Sequence, residues 1–146
     1  MRYLLSFIFL CIIVCANAQY LKVNYKGEIR PYTIKIDKIE VKENQTIVFV
    51  EVKQQKNFSY NILLDNCTLI PNSTSQQVEG KLRTWNDSKK ALEFSKPVRD
   101  DCAEKFTIMF PGTDILTSDY FDITIGTIQN RQKTPITIQN VAIKKK

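Results

Sequence analysis

Histidine is absent from the 146 residues. With it go the commonest general base and the commonest transition-metal ligand. Glycine is scarce: the four glycines, at 27, 80, 112 and 126, form no phosphate-cradling loop, and no G-x-S-x-G elbow occurs. Cysteine is scarce as well. Of the four, Cys11 and Cys15 lie in an N-terminal apolar run expected to be removed, which leaves Cys67 and Cys102. An even count in an oxidising destination predicts one disulfide. Closing that 36-residue loop would stabilise the fold by roughly 3.8 kcal/mol in the chain-entropy description. No C-x-x-C pair supports a redox role.

Carboxylates are the only catalytic groups left. Asp100, Asp101 and Glu104 could serve as acid and base or ligate a hard cation, and so could Asp114, Asp119 and Asp122. Neither set has the alternating spacing of a calcium loop, and carboxylates in such stretches ordinarily cap turns. The expectation is therefore no catalytic residue, no metal and no cofactor, with a carboxylate-based hydrolase as the least favoured reading.

Residues 1–18 read as an export signal: Arg2, an apolar run from Leu4 to Val14, then Ala16-Asn17-Ala18 as a small-x-small cleavage site before Gln19. That run is too short to cross a bilayer about 30 Å thick, so no membrane span is expected. Val14 ahead of Cys15 does not suit a lipoprotein. The predicted mature chain of 128 residues suits one domain, destined for the periplasm, the cell surface or secretion. Its 20 basic and 15 acidic residues leave a surplus of five positive charges, three of them in the tail 144–146. The others alternate in sign, as in Lys35-Ile36-Asp37-Lys38-Ile39-Glu40, the pattern of a solvated strand face. No basic stripe interleaved with aromatics points to nucleic acid.

Strand patterns run through the mature chain. Gln19 to Arg30 reads as a loose arm. Ile34 and Ile36 alternate with Lys35 and Asp37, then Ile39 and Val41 continue on the opposite parity, which predicts a β-bulge near Asp37-Lys38. Lys42 to Gln45 is a turn, and Ile47 to Val52 reads as a central strand covered on both faces. Phe58 to Leu64, Cys67 to Ile70, Val78 to Thr84, Ala91 to Phe94, Phe106 to Phe110 and Phe121 to Ile125 follow. Ile136, Ile138, Val141 and Ile143 close the series with a second parity shift at Gln139-Asn140. Eight to nine short strands at spacings near ten residues predict an all-β, immunoglobulin-like antiparallel β-sandwich over 31–143. A small barrel is the alternative, because strand count does not separate closure from two packed sheets.

Two features bear on binding. Trp85, the only tryptophan, would stack on a sugar or anchor a partner protein if exposed, though a sandwich tryptophan is expected in the core. Asn44, Asn57, Asn66, Asn72 and Asn86 each open an N-x-Ser/Thr triplet, five of the nine asparagines after residue 18, where chance gives about one. In a eukaryotic source these would be glycosylation sites of a secreted recognition protein.

Several runs, taken in order, resemble small exported proteins of Bacteroidota bacteria with an immunoglobulin-like sandwich. They are Ile36 to Val41, Thr46 to Val52, Lys105 to Pro111, Tyr120 to Ile123 and Ile138 to Ile143. The segment from Cys67 to Glu104 departs from that pattern. The resemblance implies a non-catalytic domain and carries over no functional residue. The leading expectation is an exported non-catalytic module with a structural, adhesive or ligand-binding role, its partner a protein or carbohydrate surface.

Overall fold

A computed structural model describes residues 18–29, 32–54, 63–64, 67–84, 104–113, 115–129 and 132–145. Every regular element among them is a strand. The first three are β1 (Gln19–Ile29), β2 (Tyr32–Lys42) and β3 (Gln45–Gln54), followed by the short β4 (Leu63–Leu64). Then come β5 (Cys67–Pro71), β6 (Val78–Thr84), β7 (Glu104–Pro111) and β8 (Tyr120–Ile125). β9 (Thr127–Gln129), β10 (Gln132–Lys133) and β11 (Ile136–Lys144) complete the series.

Eight strands close into a barrel in the order β1-β11-β8-β5-β6-β7-β3-β2, and β10-β9-β4 form a small separate sheet. All eight ladders of the ring are antiparallel. The expected open sandwich is thus replaced by a closed barrel. Strand spacing alone does not reveal this, because closure depends on β11 returning to pair with β1. The neighbours β3/β7 and β5/β8 are not consecutive in the chain, so the connectivity is of the Greek-key kind.

Alternating side chains fill the interior. Ile34, Ile36, Ile39, Leu69, Phe106, Phe110, Phe121 and Ile123 are fully buried, while Lys22, Lys26, Lys38 and Lys144 lie on the outside. This is the reverse of a membrane-spanning barrel, which is apolar outside and polar within.

Both predicted bulges occur. The β2–β3 register shifts between Ile36 and Lys38, so Asp37 and Lys38 both face outward and Ile39 turns back into the core. The β11–β8 register shifts between Ile138 and Val141, with Asn140 at φ 54°. Two expectations change. The supposed loose arm is β1, paired with β2 from Gln19 to Ile29; Leu21, Val23, Tyr25 and Ile29 alternate with polar residues and pack on the core. The strand covered on both faces is β7, where Phe106 to Phe110 are all buried. On β3, by contrast, Ile47 and Phe49 stay half-exposed on the outer wall.

Candidate functional site

The outer wall over β1 and β2 carries an open groove of about 630 Å³ lined by Tyr20, Leu21, Lys22, Val23, Asn24, Asp37, Lys38 and Lys144. Two irregularities shape it. β1 shifts register against β2 between Lys22 and Tyr25, and β2 bulges at Asp37 against β3. Extra residues at these points twist the strands and turn successive side chains toward the same side.

Register then builds the site's charge. Lys22 lies directly opposite Lys144 across β1–β11 and directly opposite Lys38 across β1–β2. Three ammonium-bearing residues therefore stand in one row across three strands, one every ~4.8 Å. Like charges directly opposite are destabilising, and the nearby carboxylates do not relieve this row. Asp37 pairs with Lys35 at 3.0 Å, and Glu51 pairs with Lys105 at 3.7 Å. Lys35 is held above its ordinary pKa, first by its hydrogen bond to Asp37 and then by attraction to that carboxylate and to Glu51. Lys22, Lys38 and Lys144 take part in none of the ion pairs among the described residues.

Aromatic rings flank the row. The Lys38 ammonium lies 4.3 Å from the Phe49 ring centroid and 5.4 Å from that of Tyr20, both within cation–π range. Tyr20 is 57% exposed, the most accessible large apolar side chain among the described residues. A smaller depression lined by Asp37, Lys38, Phe49, Val50, Glu51 and Lys105 adjoins the groove. The whole wall offers rings, alkyl stems and cations, a set suited to binding an anionic ligand.

Of the residues singled out from sequence, those that the structure describes fall elsewhere. Trp85, Asn57, Asn66, Asn86, Asp100, Asp101, Cys102 and Asp114 lie outside the described residues. The described residues do not support the expected Cys67–Cys102 disulfide, since Cys102 is not among them. Cys67 is buried on β5 opposite Gly80. Glu104 opens β7, paired with Val52. Asp119 takes an ion pair from Lys145 at 2.6 Å. Asp122 accepts the Asn140 N–H at 2.7 Å and so caps the β11 bulge.

Two sequons have backbone reasons. Glu43 and Asn44, at φ 50° and 61°, form the two-residue turn of the β2–β3 hairpin, the pattern of a type I′ turn that favours Asn. Thr46, two residues on, is fully buried and donates to the Thr113 carbonyl at 3.1 Å. Asn72 Oδ1 accepts the N–H groups of Asp119 and Tyr120 at 2.9 and 3.3 Å. The Ser73 and Ser118 hydroxyls are bonded at 2.7 Å, which ties the turn after β5 to the start of β8.

The lysine row was invisible to sequence reading because it depends on register. The three residues are distant in the chain, and the alternation around Lys38 reads as an ordinary solvated face. The one local signal was the period-two pattern of Leu21, Val23 and Tyr25, which would have shown β1 to be a strand and Tyr20 and Lys22 to share its outer side. No protein-family model and no curated protein matches the chain.

Proposed function

We propose that this chain is an exported, non-catalytic β-barrel module that binds its ligand on the outer wall, in the groove over β1 and β2. The observation that carries this reading is the row Lys144–Lys22–Lys38, uncompensated by carboxylates and set beside an exposed tyrosine ring. A sequence that places like charges opposite one another across three strands gives up stability locally, and such departures gather at functional sites. The packed apolar interior supports binding on the outside rather than within the barrel. The glycoprotein reading draws less support, since the Asn44 and Asn72 triplets each have a structural explanation.

Presenting the purified protein with neutral and acidic glycans, acidic peptides and lipid vesicles tests the proposal. A ligand should be retained by the parent and lost by Tyr20→Ala/Lys38→Ala, with the melting temperature little changed. Binding that survives in the double variant would place the site elsewhere, and retention of nothing would sink the binding-module reading.

A further inference from the structure

We infer that the groove takes an acidic polysaccharide laid across β11, β1 and β2, with one anionic group over each of Lys144, Lys22 and Lys38. The inference rests on the groove being the binding site and adds the chemistry of its occupant. Three observations select this class. Cations recur once per strand, every ~4.8 Å, a repeat close to one pyranose ring in an extended chain. This matches a polymer carrying a carboxylate or sulfate on successive sugars.

At Lys22 and Lys38 the groove floor has no free strand edge. Lys22 and Val23 pair with β11 on one side, Lys22 pairs with β2 on the other, and Lys38 lies between β1 and β3. An acidic peptide could not extend the sheet here and would keep only its charges. Tyr20, 57% exposed and two residues from Lys22 on the same face, offers a flat apolar ring against which the C–H face of a sugar stacks.

Titration calorimetry of the full-length purified protein tests this with four probes: a heparin fragment, polygalacturonate, poly-L-glutamate and vesicles rich in phosphatidylserine. Neutral dextran serves as the uncharged control. Binding to the sulfated or the carboxylated polysaccharide is expected, and the stronger of the two identifies the anion. Lys22→Ser and Lys144→Ser should each weaken it about fivefold, the loss expected of one lysine at an anionic surface. Each should also lower the salt dependence by just under one counterion. Tyr20→Ala should weaken polysaccharide binding while leaving the salt dependence intact. Lys81→Ser, exposed on β6 four strands from β1 around the ring in either direction, should change nothing.

The Lys22→Ser melting temperature should equal or exceed the parent's, which separates lost contact from lost folding. Poly-L-glutamate or vesicles bound as tightly as the polysaccharides, with no effect of Tyr20→Ala, would overturn the sugar assignment. Dextran binding that needs Tyr20 but not the lysines would overturn the anionic assignment and leave the groove as the site. No binding to any probe, together with no groove-dependent ligand in the broader screen, would remove both readings.

Discussion

Gly80 is a residue whose replacement the barrel tolerates poorly. A Cβ built there would stand 2.4 Å from the Phe110 ring and 2.9 Å from Ile108, and both neighbours are fully buried. Neither can move outward without disturbing the core, so Gly80→Ala should cost about 1–3 kcal/mol, the range for overpacking; chemical denaturation would measure it. Thr46 is a second such residue. Its buried hydroxyl satisfies the Thr113 carbonyl, and Thr46→Val keeps the shape while removing the donor. A loss of about 1–3 kcal/mol is expected, with Thr46→Ser closer to the parent. An unchanged Thr46→Val stability would mean that the triplet at Asn44 exists for some reason other than the fold. The same scale explains what sequence reading missed: Thr46 was visible only as the third residue of a sequon and the start of a strand run, because nothing local announces a hydrogen bond to Thr113.

Single elements were largely legible where local pattern decides them. The bulge at Asp37 and the shift at Asn140 followed from parity alone, since one extra residue must exchange the faces of a half-buried strand. The turn at Glu43-Asn44 was legible for the same reason, its two polar residues separating two β-branched runs. What local pattern could not supply was which faces are covered from outside. Ile47 to Val52 looked doubly buried by composition, yet its outward residues line an open wall, and β7 holds the doubly buried place instead. The hairpin offers a direct check. Both turn residues sit at positive φ, where Glu is unsuited and Asn-Gly is the favoured pair. Glu43→Asn/Asn44→Gly should raise stability by up to ~1 kcal/mol. Thermal unfolding of the double variant at fixed pH reads this, and a fall would show that the Glu43 side chain makes a contact worth more than the relief of strain.

At the level of the whole molecule, closure and charge meet at one seam. Sandwich and barrel share the same strands and the same inward residues, and they differ in whether β11 reaches β1. Here it does so over the pairs Lys22–Lys144 and Val23–Ile143, the shortest ladder of the ring. The lysine row crosses this ladder, so the shortest ladder of the barrel also bears a like-charge opposition. Lys22→Glu should therefore act on the fold as a whole. It places a carboxylate between Lys38 and Lys144, replacing two repulsions by two attractions, each worth roughly 0.2–1 kcal/mol across neighbouring strands. A net gain of about 1 kcal/mol, roughly 4 °C in melting temperature for a chain of this size, is expected at low ionic strength. The gain should shrink as salt screens these exposed charges within a Debye length of about 8–10 Å. Amide exchange at Val23 and Ile143 should slow in step, because opening of the seam must now separate opposite charges. Anionic ligands should lose the groove at the same time, so stability would rise as binding falls. A Lys22→Glu protein that melts lower at low salt, or exchanges faster at the seam, would show that the row does not oppose closure. The lysines would then be an ordinary solvated face, and the binding proposal would lose its foundation.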